Sequence, residues 1–243
     1  MRKFGLIGYP LTHSFSEKYF TDKFRTEGIA GCRYDLYSIS SIDQLPSILQ
    51  QHPEGLNVTI PYKKAVLPFL NQSTQAVQQI GACNCIHLNN GQLTGHNTDV
   101  AGFEQTLVPG LQSHNTHALV LGTGGASAAV EYVLKKLGIE YALVSRTSNA
   151  AKNVLGYDNI TKAVIEKYTV IINTTPLGTY PAINTCPTIP YKYLSPASYL
   201  YDLVYNPAET MFLKRGKNQG ATIKNGEKML EIQAEESWKI WNS

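Results

Sequence analysis

Short apolar runs alternate with helical patterns in the first part of the chain. KFGLIGY (3–9), YDLYSI (34–39) and GLNVTI (55–60) predict strands, because each is short, apolar or alternating, and bounded by turn residues. SEKYFTDKFRTEG (16–28) predicts a helix that stops at its glycine. Asn90-Gly91 lies between two further short runs and predicts a hairpin with a type I′ turn. This pattern indicates an α/β region with some antiparallel pairing.

From about residue 101 the alternation becomes regular. Four continuous apolar runs predict strands: THALVLG (116–122), EYALVSR (140–146), YTVIINTT (168–175) and SYLYDLVY (198–205). GGASAAVEYVLKKLG (124–138) predicts a helix after the first of them, and EKMLEIQAEESWKIWNS (227–243) predicts a last one. Such strands, alternating with helices, indicate a parallel sheet that is covered on both faces.

Composition narrows the function classes. The chain has 243 residues and a net charge of +3, without the basic patch that a nucleic-acid-binding surface needs. No apolar run is long enough to span a membrane, and the N-terminus lacks the apolar core of a signal peptide. The four cysteines form no C-x-x-C pair, and the six histidines lack the spacing of metal ligands. We therefore expect a reduced, cytoplasmic protein that binds neither metal, membrane nor nucleic acid.

A glycine-rich turn follows the first strand of the regular region. Gly122 and Gly124 match the first two glycines of the Rossmann dinucleotide fingerprint, while its third position is Ser127. Two glycines let the turn close and let the backbone approach a pyrophosphate at the helix N-terminus. The same residues would also form a tight strand–helix turn that binds nothing.

The end of the second strand indicates which nucleotide would bind. An NAD site has an Asp or Glu about 20 residues after the glycine-rich turn, which hydrogen-bonds to the ribose 2′-hydroxyl. Here the second strand ends instead in Ser145-Arg146-Thr147. A carboxylate would repel a 2′-phosphate, whereas Arg146 can bond to it with charge assistance. We predict NADP(H); the alternative is an arginine that ends a strand in solvent.

Polar residues cluster in the first region. Ser14 and Ser16 are two apart, so a locally extended chain would project both hydroxyls to one side, where they could hold a small carboxylate; Ser16 could equally be a helix N-cap. Asp99 could likewise be only an N-cap. In NVTIPYKK (57–64), the lysines after Pro61 are either solvated edge charges or carry chemistry.

Taken together these motifs resemble those of the shikimate dehydrogenase family. They occur in family order over nearly the whole chain: GYPLTHSFS, NVTIPYK, GACNC, GHNTDVAGF, GTGG, SRT, INTTPLG, DLVYNPAET and NGEKMLEIQA. The resemblance implies an N-terminal α/β substrate-binding domain (1–100), completed by the C-terminal helix (about 226–243), and a doubly wound parallel Rossmann domain (101–225). It also implies NADPH-dependent, reversible reduction of 3-dehydroshikimate to shikimate, in aromatic amino-acid biosynthesis.

Residue roles carry over by the same resemblance. The catalytic pair would be Lys63, rather than Lys64, and Asp99. The substrate would be bound by Ser14, Ser16, Asn57, Thr59, Asn84, Tyr205 and Gln233. NADP(H) would be bound by Gly122, Gly124, Gly125, Ala126, Ser145, Arg146, Thr147, Thr174, Val204 and Gly226.

Several positions depart from the family pattern. Glu17 replaces the usual proline after HSxS, and two thiols, Cys83 and Cys85, flank Asn84. The second basic residue that often follows the arginine is Ala150, with Lys152 the nearest cation, which predicts a milder preference for NADP.

Two other functions stay open. One is a quinate/shikimate dehydrogenase that uses NAD, and the other is a non-catalytic sensor of shikimate-like metabolites. Lys63 and Asp99 favour an enzyme. The partner would be a small-molecule substrate, and the protein would be a monomer or homodimer.

Overall fold

The computed structural model describes residues 1–11, 14–149 and 153–243. The chain forms two compact units, Met1–Ala101 together with Leu230–Ser243, and Gly102–Met229. Both are α/β, as the sequence pattern predicts. In these described ranges no helix is both long and apolar enough to cross a membrane.

The first unit is built on a six-stranded mixed sheet. Its elements are β1 Arg2–Gly8, α1 Phe15–Thr26, β2 Cys32–Ser38, α2 Leu45–Leu49, β3 Gly55–Val58, β4 Gln72–Ser73, α3 Gln75–Ile80, β5 Cys85–Asn89, β6 Gln92–His96, the start of α4 Asp99–Leu107, and most of α8 Glu227–Trp241. The strand order is β2-β1-β3-β5-β6-β4. β1 pairs in parallel with β2 and β3, whereas β5 is antiparallel to β3 and β6. β3 is thus central, and its Asn57 is flanked on both sides.

The two faces of this sheet bury separate cores. On one face Leu56 and Val58 of β3 pack in a cluster with residues of α2 and α3. On the other face Phe4, Phe20 and Tyr34 pack with Trp241 of α8. Because strand side chains alternate, Asn57 lies on the opposite face from Leu56 and Val58.

A glycine in β3 makes room for the C-terminal helix. A Cβ atom on Gly55 would lie 2.3 Å from the Trp241 indole. The indole Nε1 donates to the Ile86 backbone oxygen at 3.0 Å, and the ring stacks on Phe4 with centroids 5.0 Å apart. Gly55 is therefore needed for close packing of α8 on the sheet.

The second unit is built on a six-stranded sheet of parallel strands. Its elements after α4 are β7 His117–Leu121, α5 Gly125–Lys136, β8 Glu140–Ser145, β9 Val154–Gly156, α6 Lys162–Lys167, β10 Val170–Asn173, β11 Tyr199–Asp202, α7 Met211–Lys217 and β12 Thr222–Lys224, followed by the first turn of α8. The order β12-β11-β10-β7-β8-β9 reverses direction between β7 and β10. This is the strand order of a doubly wound dinucleotide-binding fold, and ligands of such folds bind at that reversal, outside the carboxyl ends of the strands.

The hairpin prediction is confirmed, since Asn90 (φ 49°) and Gly91 (φ 76°) join β5 to β6 with both residues in the left-handed region. The predicted strand 55–60 is too long. β3 ends at Val58, and Ile60 is 74% exposed. Beyond Val58, the Ile60 backbone oxygen still accepts from Tyr9 N–H at 3.1 Å, so backbone contact between these segments continues up to Pro61.

Replacing Gly55 with Ala should destabilise the protein. The added methyl group would overlap Trp241, and overpacking of this kind costs about 1–3 kcal/mol. Denaturant unfolding of the Gly55→Ala variant measures the loss. In a Trp241→Leu background the same substitution should cost less, because the overlapping ring is absent; an equal cost in both backgrounds would contradict this packing.

Candidate active site

An ion pair joins two of the predicted residues. Lys63 Nζ donates to Asp99 Oδ2 at 2.6 Å, and the two side chains are 22% and 11% exposed. Lys63 follows Tyr62, which is buried and donates its hydroxyl to the Ile39 backbone oxygen. The backbone oxygen of Lys63 accepts from Cys83 N–H at 2.8 Å. Lys63 is thereby anchored on both sides, while Lys64 is exposed.

Asp99 is fixed from the other direction. It is the first residue of α4, and the preceding Thr98 donates its backbone N–H to Asn84 Oδ1 at 2.7 Å. The Asn84 backbone N–H donates to His96 O at 3.1 Å. The two motifs GACNC and GHNTD, which are separate in sequence, therefore meet beside the ion pair.

Three predicted amide side chains converge on the same region. Asn84 Nδ2 lies 3.4 Å from Gln233 Oε1, and Asn57 Nδ2 donates to the Asn84 backbone oxygen at 3.3 Å. Thr59 follows β3 and donates its backbone N–H to Ile7 O at 2.9 Å. The first unit thus gathers Asn57, Asn84 and Gln233, and Thr59 follows Asn57 by two residues at the end of the same strand.

The two predicted serines differ from the sequence expectation. Ser14 has an extended backbone and is the N-cap of α1, accepting from Glu17 N–H at 3.3 Å. Ser16 is helical, so the pair is not locally extended, and the cap is Ser14 and not Ser16. A helix begins here because Ser14 supplies the cap, accepting from the backbone of Glu17.

The thiols that flank Asn84 are buried. Burial raises the pKa of the Cys83 thiol to about 11 and also raises the pKa of Cys85. Both are fully enclosed. They remain protonated at neutral pH and act as small core side chains.

The glycine turn of the second unit has the open geometry that a dinucleotide needs. Gly122 has φ 117°, and a Cβ there would lie 2.6 Å from Thr174 Oγ1. At Gly124 and Gly125 an added Cβ would meet no atom within 4 Å. Gly124 is the N-cap of the twelve-residue helix α5, and Ala126 lies in its first turn. The helix N-terminus and an approachable backbone are both present.

The predicted nucleotide-selecting residues lie beside this turn. Ser145 is the last residue of β8, which is parallel to β7, and Arg146 and Thr147 follow it as exposed residues. The positions relevant to a second cation, Ala150 and Lys152, lie outside the described residues.

The other predicted cofactor residues lie at the ends of β10 and β11 and before α8. Thr174 donates both its N–H (2.9 Å) and its hydroxyl (2.8 Å) to Leu121 O, which fixes the end of β10 beside the glycine turn. Val204 is buried, and its backbone oxygen accepts from Gly226 N–H at 3.2 Å. Tyr205, the predicted substrate residue of this unit, is 41% exposed.

A buried carboxylate that sequence reasoning missed organises these segments. Asp202 ends β11 and is fully buried. Its oxygens accept from Asn173 Nδ2 (2.9 Å), Val204 N–H (3.0 Å) and Thr210 Oγ1 (2.6 Å). Burial raises the pKa of Asp202 to about 6, although these three donors oppose the rise. The motif DLVYNPAET begins with Asp202 and ends with Thr210. The presence of both residues in one motif is the sequence feature that points to their contact.

Three hydroxyl residues in the first unit were also missed. Tyr34, Thr98 and Ser237 are buried, and they hydrogen-bond to Asn57 or Asn84. Thr98 lies within the NTD motif. Nothing in the sequence marks Tyr34 or Ser237, since their contacts span 23 and 180 residues.

The strand order, the glycine turn and the helix N-terminus define the second unit as a Rossmann-type dinucleotide-binding fold. The first unit matches a sequence profile described as the shikimate dehydrogenase substrate binding domain over residues 6–86.

Proteins with similar sequences and structures align with almost the full length of this chain. The NADP(+) shikimate dehydrogenase of Halothermothrix orenii is 36% identical, with 98% of this chain and 89% of the relative aligned. A chorismate mutase/shikimate 5-dehydrogenase fusion protein from Clostridium acetobutylicum has a crystal structure with TM-score 0.89 and 33% identity, covering 100% of this chain and 91% of that chain. Quinate dehydrogenase from Corynebacterium glutamicum, solved with NAD, has TM-score 0.86 and 28% identity, covering 99% and 93%. The chain belongs to the shikimate dehydrogenase family.

Replacing Asp202 with Asn should change how stability depends on pH. The folded-state pKa of about 6 exceeds the ordinary value of 3.8, so between these pH values the folded protein binds a proton that the unfolded chain does not. Relative to the Asp202→Asn variant, the wild type should therefore gain stability as pH falls from about 6 to about 4, by at most about 3 kcal/mol.

Urea unfolding at a series of pH values measures this difference. The exposed Asp158→Asn variant controls for the loss of one negative charge. A difference between wild type and Asp202→Asn that does not vary with pH would contradict the raised pKa.

Proposed function

We propose that this protein catalyses the reversible, NADPH-dependent reduction of 3-dehydroshikimate to shikimate. The observation that carries the proposal is the Lys63–Asp99 ion pair, set beside Asn57, Asn84 and Gln233 in a member of the shikimate dehydrogenase family. The reaction would serve aromatic amino-acid biosynthesis.

The ion pair suits the proton transfer that a ketone reduction needs. NADPH, when bound, supplies the hydride. The Lys63 ammonium would donate a hydrogen bond, and then a proton, to the ketone oxygen as negative charge develops there. Asp99 holds the ammonium in position, and solvent replaces the proton. In the reverse direction Lys63 accepts the proton of the alcohol.

The remaining polar residues of the first unit would hold the substrate. Ser14 and Ser16, at the start of α1, would bind its carboxylate, with Ser14 also capping the helix. The side chains of Asn57, Thr59, Asn84 and Gln233 would bind its hydroxyl groups. Tyr205, in the second unit, would contact the substrate or the nicotinamide. We propose that residues 1–100, with the C-terminal helix, form the substrate-binding domain.

The second unit would hold NADP(H), and residues 101–225 would form that domain. Open space at Gly124 and Gly125 fits a pyrophosphate near the N-terminus of α5, together with Gly122 and Ala126. The 2′-phosphate of NADP(H) would be bound by Ser145, Arg146 and Thr147. The nicotinamide end would be lined by Thr174, Val204 and Gly226. A Cβ atom on Gly226 would lie 2.2 Å from the Leu203 backbone oxygen, so this position has no room for a side chain.

A cytoplasmic location is also part of the proposal. Cys83 and Cys85 are buried as free thiols, which suits a reducing compartment. The oligomeric state, monomer or homodimer, stays a prediction.

Removing the ammonium of Lys63 should lower turnover with little change in substrate binding. In Lys63→Met the aliphatic stem remains, so kcat should fall by about 10²–10⁴-fold, the usual contribution of acid–base catalysis, while KM changes little. Steady-state rates followed by NADPH absorbance measure both constants.

The neighbouring lysine provides the matched control. Lys64 is exposed, and Lys64→Met should keep wild-type kinetics. If the two variants behave alike, Lys63 is not the proton donor.

Removing Arg146 should weaken NADPH selectively. A hydrogen bond to a charged group contributes about 1.5–3 kcal/mol, so Arg146→Ala should raise KM for NADPH by about 10–100-fold and leave KM for NADH almost unchanged. Rates with each cofactor at saturating 3-dehydroshikimate test this. Equal changes for both cofactors would rule out a 2′-phosphate contact.

Quinate oxidation with NAD is the second candidate, favoured by the structural similarity to the Corynebacterium glutamicum enzyme. Comparing shikimate with quinate, each with NADP and NAD, separates the two activities. Binding of shikimate without any change in cofactor absorbance would instead favour a metabolite sensor.

A further inference from the structure

The carboxamide of Asn57 is held on three sides. Its Nδ2 donates to Asn84 O at 3.3 Å and to Ser237 Oγ at 2.9 Å, and its Oδ1 accepts the Tyr34 hydroxyl at 2.8 Å. A backbone carbonyl can only accept, so the nitrogen must face Asn84. The orientation of the amide is therefore determined by its surroundings.

Ser237 can play only one role toward Asn57. Its hydroxyl, on α8, lies 2.9 Å from Gln233 O, one helical turn earlier, and donates its single proton there. Its oxygen is then left as an acceptor for Asn57 Nδ2. Because Ser237 is fully buried, no water replaces this contact.

Tyr34 completes the arrangement from β2. Its ring is buried and stacks on Phe20, with centroids 4.7 Å apart and planes 15° apart. Since Asn57 presents its oxygen to Tyr34, the phenol must donate. Burial raises the pKa of Tyr34, and its interaction with the side chain of Ser16, another proposed substrate-binding residue, opposes that rise.

The two asparagines consequently differ in what they can offer a ligand. Both N–H groups of Asn57 are used inside the protein, while its oxygen, with one partner among the described residues, keeps a free acceptor position. Asn57 is partly exposed. Asn84 is more enclosed, because Thr98 N–H occupies its oxygen at 2.7 Å and its Nδ2 donates to Thr98 Oγ1 at 3.1 Å and to Gln233 Oε1 at 3.4 Å.

We propose that Tyr34 and Ser237 are positioning residues for substrate recognition. They hold Asn57 as a pure hydrogen-bond acceptor, so that it recognises one hydroxyl of the substrate as a donor. This inference rests on the proposed function and deepens it, because it assigns the basis on which the site selects a hydroxylated ring.

The test is binding calorimetry with shikimate and with analogues that each lack one ring hydroxyl. Tyr34→Phe removes a single oxygen and keeps the ring stack. Affinity for shikimate should fall by about 2–10-fold, the worth of one neutral hydrogen bond. Affinity for the one analogue that lacks the recognised hydroxyl should stay at its wild-type value. Ser237→Ala should weaken shikimate binding and spare that same analogue.

Tyr191→Phe is the matched control, since it removes a buried tyrosine hydroxyl that donates to Pro187 O in the second unit. It should leave all affinities unchanged. Equal losses for shikimate and every analogue in Tyr34→Phe and Ser237→Ala would mean a merely structural role and overturn the proposal, as would full affinity in both variants.

The same titrations separate this inference from the proposed function. If the wild type binds shikimate but does not oxidise it with NADP, the proposed reaction is wrong, and the pattern among analogues still decides the role of Tyr34 and Ser237. If the wild type binds no shikimate, the proposed reaction and the proposed role of Tyr34 and Ser237 are both wrong.

Discussion

Docking of α8 on the first unit is the interaction on which the candidate site depends. The helix brings Gln233 and Ser237, and it is held by Trp241 over Gly55. Lys23, almost fully buried on α1, also donates to Glu235 at 2.8 Å. The polar site of residues 1–101 is therefore incomplete until the last residues of the chain are in place.

The two units hold their polar groups by different physical means. Around Asn57 and Asn84 the first unit uses neutral amides and hydroxyls, whose burial is tolerable when every donor and acceptor is paired. The second unit uses the charged Asp202, which collects three donors from separate segments. A neutral network can leave a chosen lone pair free for a ligand. A buried carboxylate that is surrounded by donors has no such freedom and serves to fix loops.

Sequence patterns predicted the long elements and the local turns, because both depend on nearby residues. The regular strands of the second unit and the Asn90-Gly91 hairpin are examples. Strands of two or three residues, such as β4 and β9, are too short to show a period. Motif order suggested Lys63 and Asp99 as a pair. The bond between Asn57 and Ser237 joins residues 180 positions apart and depends on how α8 docks, which no local pattern encodes.

The exposure of the Lys63–Asp99 pair is itself suited to proton transfer. A fully solvated pair would be held weakly, and a fully buried one would carry a large desolvation cost. At 22% and 11% exposure the pair keeps a 2.6 Å contact and still reaches water. Lys63 has three N–H groups, and among the described residues Asp99 is the hydrogen-bond partner of its ammonium. One N–H therefore fixes the group, and the others are available to a ketone oxygen and to the solvent that returns the proton.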